Sequence, residues 1–246
     1  MSESWKVAAE RQLMSPESLA VYTTAMLHSM ATSGRMDAPS PATFARWVAS
    51  LSKTGKLREV VKGVYLNPLG HRDVSPAAAA HWVRHDSVVS LAWVLEQAHV
   101  TNNFGDTVTC VIPTHPDLPT PNVGDRMTKA APFRFFAMPM QLVSADRLMA
   151  RSSRVQFEDV RDVRFDYPRT TPEKALLDWI FLGSSHRSRM TRPPFDLQIE
   201  SLSMPRLRRL ANAMSLMPML DDWLRQYEAY QASEDVRENS ATRMRF

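Results

Sequence analysis

The chain lacks the raw material for several kinds of site. Its 246 residues contain one cysteine, Cys110, which excludes an internal disulfide. A lone thiol inside an apolar run reads as a buried side chain and not as a nucleophile. Only seven glycines occur, and none form the spaced clusters whose backbone N–H groups cradle phosphate. A nucleotide-binding glycine loop is thereby excluded. No apolar run reaches the roughly 18 residues of a membrane span. Residues 1–10 lack the basic segment and apolar core of a secretion signal. These absences, together with the single cysteine, predict a reducing cytoplasmic setting and no membrane partner.

Metal and catalytic constellations are absent too. His81 and His85 are four apart, as on a zinc-protease helix, but Trp82 follows the first histidine instead of glutamate. No third ligand is evident, so neither a metal nor an organic cofactor is expected. Asp221-Asp222, just before Trp223, reads as a solvated first helical turn. Nothing resembles the clustered carboxylates of a metal-dependent nuclease, and no enzyme is expected.

What is present is ordinary globular material with an uneven charge. Apolar residues make up 44% and charged residues 23%, enough for one large or two small domains. Fifteen methionines suit gaps in a core, and Met214, Met217 and Met219 can also form a partner surface. The net charge is +4 and the isoelectric point about 9.4. Residues 40–66 hold five basic side chains (Arg46, Lys53, Lys56, Arg58, Lys62) and a single acidic one, Glu59. That stretch alone carries a net charge equal to that of the whole chain, which points to a polyanionic partner.

Periodicity and turn chemistry organise the chain. A short helix is expected over Trp5 to Met14. Ser15-Pro16 predicts a capped helix over 16–33 with Leu19, Tyr22, Met26 and Met30 on one face, stopped by Gly34. Ser40-Pro41 starts another, with Phe44, Trp47, Val48 and Leu51 inward and Thr43, Arg46, Ser50 and Lys53 outward. Gly55 ends it, and strands over 57–61 and 64–66 follow, joined at Lys62-Gly63. Further helices are predicted over 75–85, 88–99, 173–182, 204–214 and 218–230. Strands are predicted over 107–112, 133–138 and 163–167, with an irregular proline-rich loop over 113–121. The expected class is mixed α/β (α+β). Residues 1–70 are expected to form a winged helix-turn-helix, 71–232 a mixed α/β domain, and 233–246 a polar, disordered tail.

A capped amphipathic helix, a glycine and a tight basic hairpin are the parts of a recognition helix and wing. One helix face packs inward and the other enters a major groove. Arg46 is the candidate for a base contact. Thr43 and Ser50 can reach bases or phosphates, while Lys53, Lys56, Arg58 and Lys62 suit phosphates.

Three stretches then carry a family resemblance. They are Lys53-Thr54-Gly55-Lys56-Leu57-Arg58-Glu59-Val60-Val61-Lys62-Gly63-Val64-Tyr65-Leu66, Ser87-Val88-Val89-Ser90-Leu91-Ala92-Trp93-Val94-Leu95, and Thr170-Thr171-Pro172-Glu173-Lys174-Ala175-Leu176-Leu177-Asp178. The last looks like an Ala-Ser-Pro-Glu-Arg-Ala-Leu-Leu-Asp helix start. Together they resemble the AbiEi-type, or type IV, antitoxins of bacterial abortive-infection systems, which defend against phage. The resemblance implies an N-terminal winged helix that binds inverted repeats in double-stranded operator DNA and represses its own operon. It implies a C-terminal domain that counters a neighbouring nucleotidyltransferase-like toxin, with no catalytic residues. The chain departs from the family's pattern at 24–41 and at the basic segment 184–194. The alternative is a stand-alone winged-helix transcriptional regulator with a ligand- or partner-sensing C-terminal domain.

Overall fold

In a computed structural model, the backbone is described for residues 4–34, 36–71, 73–101, 105–119, 121–186, 188 and 190–243, and side chains as far as residue 233. The fold is mixed α and β. The chain divides into two compact units: residues 1–85 with 126–133, and residues 86–125 with 134–246. The sequence expectation places the boundary after Gly70. In the structure the 3-10 turn Pro76–Ala79, with Ala77 and Ala79 buried, packs on the strand before it and carries the first unit further.

The first unit runs α1 (Trp5–Met14), β1 (Val21–Thr23), α2 (Thr24–Thr32), α3 (Pro41–Lys53), β2 (Arg58–Val61) and β3 (Val64–Leu66), then the 3-10 turn and α4 (Ala80–Val83). Trp5, Ala9 and Leu13 recur at helical spacing and are buried. They meet Leu27, Ala31, Phe44, Trp47, Val48 and Leu51 in one core, where the Trp5 and Trp47 rings cross edge-on at 5.3 Å. The strands pair antiparallel in the order β1-β3-β2.

The single helix expected over 16–33 is not found. Val21 and Tyr22 pair with Leu66 and Tyr65, and Thr23 caps a later helix by accepting the Met26 N–H at 3.2 Å. The Val-Tyr-Thr-Thr run fits a pleated ladder better than a helix interior. By contrast, α3 starts where Ser40-Pro41 predicts: the Ser40 hydroxyl accepts the Thr43 N–H at 3.3 Å. Gly55, at φ +72°, terminates it.

The second unit holds β4 (Val88–Val89), α5 (Ala92–Gln97), β5 (Val108–Thr114), β6 (Gly124–Arg126), β7 (Phe133–Pro139), α6 (Met140–Val143), α7 (Ala145–Arg151), α8 (Phe157–Val160), α9 (Pro172–Ser184), a 3-10 turn (Ile199–Ser201), α10 (Met204–Met214) and α11 (Met217–Arg243). Its sheet order is β4-β5-β7-β6, the outer ends of β6 and β7 being counted with the first unit. Helix α9 is central, packed by α5, α10 and α11. The helix expected over 88–99 is split. Val88 and Val89 pair with Val111 and Cys110, and Leu91 at φ +64° breaks the backbone before α5. No strand forms over 163–167, where Val163 is exposed; single bridges join Arg161 to Thr170 and Val89 to Arg169 instead. Helix α11 continues to Arg243, where polarity predicts a disordered tail. Residues 244–246, and Arg187 and Arg189 of the basic segment, lie outside the described residues.

Candidate nucleic-acid interface

Helix α3 separates two faces. Phe44, Trp47, Val48 and Leu51 are buried, while Ala42, Ala45, Arg46, Ala49, Ser50 and Lys53 are exposed. At about 100° per residue, Thr43, Arg46, Ser50 and Lys53 fall within one outward stripe. The three alanines beside them keep that side of the helix thin. Arg46 is solvent-facing and its Nε donates to the Ala42 carbonyl at 3.3 Å, so the side chain lies back along its own helix. Thr43 is half-buried, its hydroxyl 3.0 Å from that of Ser40; it belongs first to the cap.

The hairpin carries the remaining basic residues in different states. Lys62 sits at the β2–β3 turn, and Gly63 beside it takes φ +80°, a conformation that costs a side-chain-bearing residue strain. The Gly63 carbonyl accepts the Thr24 N–H at 2.9 Å, tying the turn to the start of α2. Lys62 and Lys53 are exposed. Arg58 is exposed, and its Nη2 donates to the Val74 carbonyl at 3.1 Å. Lys56 is half-buried in an ion pair with Glu10 at 2.7 Å. Hydrogen bonds from Lys56 and Trp47 hold the Glu10 carboxyl below its ordinary range against a desolvation penalty. Five of the seven candidates (Arg46, Ser50, Lys53, Arg58, Lys62) thus face solvent, and Thr43 and Lys56 are engaged within the unit.

One basic residue beside β2 has no local signal in the sequence. Lys129, within the 126–133 segment of the same unit, pairs with Glu59, and its backbone N–H donates to the Val60 carbonyl at 2.9 Å. A separation of seventy residues in sequence hides that proximity from any local pattern.

No family model matches the chain, and no curated protein matches it. Among solved structures, the crystal structure of the RV2827C protein from Mycobacterium tuberculosis is similar at 17% identity, with a TM-score of 0.46. The match covers 89% of this chain and 78% of that one.

Elsewhere, no group of three or more His, Cys, Asp or Glu could hold a metal ion among the described residues. Cys110 is fully buried, and burial pushes its thiol pKa up, away from thiolate chemistry. The His81 and His85 ring centres lie 4.7 Å apart, with the rings tilted at 49° to each other. The second unit has a cleft of 260 Å³ lined by Ile180, Ser184, Arg192, Met219, Asp222 and Trp223, among others. No helix among the described residues is long and apolar enough to cross a membrane.

Proposed function

We propose that the first unit is a winged helix-turn-helix that binds double-stranded operator DNA, and that the chain is a cytoplasmic transcriptional repressor of the type IV antitoxin kind. One observation carries the DNA-binding reading. The order α1-β1-α2-α3-β2-β3, with the sheet order β1-β3-β2, leaves a basic helix face and a basic hairpin turn open to solvent on one small unit. Those are the two parts a winged helix lays on a duplex. In this reading Arg46 reads a base edge, with Ser50 and Thr43 beside it. Lys53, Arg58 and Lys62 hold phosphates, and Lys56 fixes α1 to the hairpin through Glu10. The antitoxin reading rests on the resemblance of three stretches. It assigns the second unit to countering a nucleotidyltransferase-like toxin encoded next door.

The two DNA roles separate in a salt series. Arg46→Ala weakens binding to a duplex from upstream of the gene by about 1–3 kcal/mol and blurs preference at one base pair. Lys62→Ala weakens that duplex and a random one alike, and lowers the slope of log affinity against log salt by about one. Normal operator binding by Arg46→Ala would remove its reading role. Full retention of binding by a variant lacking all five basic side chains of 40–66 would sink the DNA reading. The stand-alone regulator remains the second reading because the cleft beside Arg192 and Asp222 offers a small polar ligand two opposite charges. Rescue of cells from the neighbouring gene product by co-expression separates the two.

A further inference from the structure

We propose that Lys129 is a positioning residue of the DNA-binding face. It neutralises Glu59, and so keeps the hairpin's potential positive where phosphates approach. This rests on the DNA-binding reading above.

Glu59 is the only acidic side chain of the stretch 40–66. It lies on β2, three residues from Lys62 at the turn and next to Arg58. Left alone, its carboxylate would offset one of the few free cations of the hairpin. Bare phosphates repel it at any separation shorter than the roughly 10 Å screening length of 0.1 M salt. With Lys129 in place its side chain is 22% exposed, and that of Lys129 71%.

The segment that brings Lys129 there is built to hold it. β2 is an edge strand, and the Val60 carbonyl on that edge accepts the Lys129 N–H at 2.9 Å. Thr128 closes a tight turn around it. Its hydroxyl donates to the Ala131 carbonyl at 2.6 Å and accepts the N–H groups of Ala130 and Ala131, each at 3.2 Å. Arg126 anchors the near end by donating to the Val83 carbonyl at 2.6 Å. The backbone of Lys129 is thereby fixed against β2 before its ammonium group meets the carboxylate. An ion pair this exposed adds little stability, typically under about 1 kcal/mol, so its effect falls on the field at the surface.

The test uses the full-length protein and two labelled duplexes, one from upstream of the gene and one of random sequence, titrated at about 0.1 M salt with anisotropy as readout. Lys129→Ala weakens both duplexes by about threefold, in line with a pair of this exposure. Glu59→Gln binds at least as tightly as the parent. Lys129→Ala combined with Glu59→Gln returns binding to about the parental level, because the pair is then removed as a neutral whole, and Lys129→Arg keeps parental binding. Thermal midpoints of all variants report whether the unit is intact. Binding by the double variant clearly below the parental level would mean that Lys129 touches phosphate itself and would overturn the inference. So would unchanged binding by Lys129→Ala while Lys62→Ala is impaired, which leaves the DNA reading standing. Absence of binding to either duplex by the parent overturns both.

Discussion

At the residue scale, one buried amide closes the first unit. Asn67 is fully buried. Its Nδ2 donates to the Leu13 carbonyl at 2.9 Å, to the Ser18 hydroxyl at 3.0 Å and to the Leu19 carbonyl at 3.2 Å. The end of β3 is thereby tied to the turn between α1 and β1, where backbone groups would otherwise be buried without partners. His71 adds a contact of 2.6 Å to the Ser18 carbonyl. Gly70 lies against the same turn: a Cβ there would stand 2.1 Å from the Ser18 hydroxyl and 2.7 Å from the Leu13 carbonyl. The hydroxyl can rotate away, but the carbonyl cannot. Gly70→Ala is therefore expected to destabilise by about 1–3 kcal/mol, the range for overpacking. A urea titration of the full chain reads this as a lower first midpoint. An unchanged midpoint would mean that the turn yields freely. Pro68 and Gly70 mark this point in the sequence as the end of a unit, but the partners of Asn67 lie some fifty residues earlier and leave no local trace.

At the element scale, α9 shows how far local chemistry carries. Thr171-Pro172-Glu173 predicts a capped helix start. The Thr171 hydroxyl accepts the Lys174 N–H at 3.4 Å and donates to the Asp159 carbonyl at 2.7 Å. The next turn is a different matter. Lys174 and Asp178 are both fully buried and paired with each other, and Ser90 donates to Asp178 at 2.7 Å. An i, i+4 Lys–Asp pair looks like a solvated face in the sequence. Only the packing of α5, α10 and α11 around α9 takes it out of water. Desolvation then pushes the Lys174 pKa down and the Asp178 pKa up, with the pairing opposing both shifts. Removing Asp178 leaves the buried Lys174 amine without its counter-charge. Asp178→Ala should cost about 3–5 kcal/mol, whereas Lys174→Met combined with Asp178→Leu should cost clearly less. Thermal melts of the two variants compare them, and equal losses would refute the account.

At the scale of the whole molecule, the division into units decides which pieces can stand alone. The buried cluster of the first unit lies entirely within residues 5–69, which favours an independently folding N-terminal piece. Yet the 3-10 turn Pro76–Ala79 packs on β3, so a cut after residue 70 strips apolar cover that a cut after residue 85 keeps. A 1–85 fragment is expected to melt about 5 °C or more above a 1–70 fragment, the shift that about 1 kcal/mol produces in a domain of this size. Circular dichroism on the two fragments measures it. Equal melting points would show that the turn adds nothing to the unit.

Caps, glycines and periodicity fixed α1, α3, β2, β3, β5, β7, α9 and α10 within a residue or two. Each is specified by its own neighbours: Ser40-Pro41 and Thr171-Pro172 start helices, Gly55 and Gly63 supply positive φ, and the apolar spacing chooses the inward face. The outward position of Arg46, Ser50 and Lys53 followed from the same spacing. Tertiary structure decided what depends on distant chain. Residues 21–23 became a strand because β3 offers them a ladder, and 88–89 left a helical pattern because β5 does the same. Lys56 turned to Glu10 and Lys129 to Glu59, Lys174 and Asp178 went under cover, and 126–133 joined the first unit. Local signals report the free energy of a segment in water, whereas pairing, burial and ion-pair partners are set by surfaces that meet only after the chain has folded.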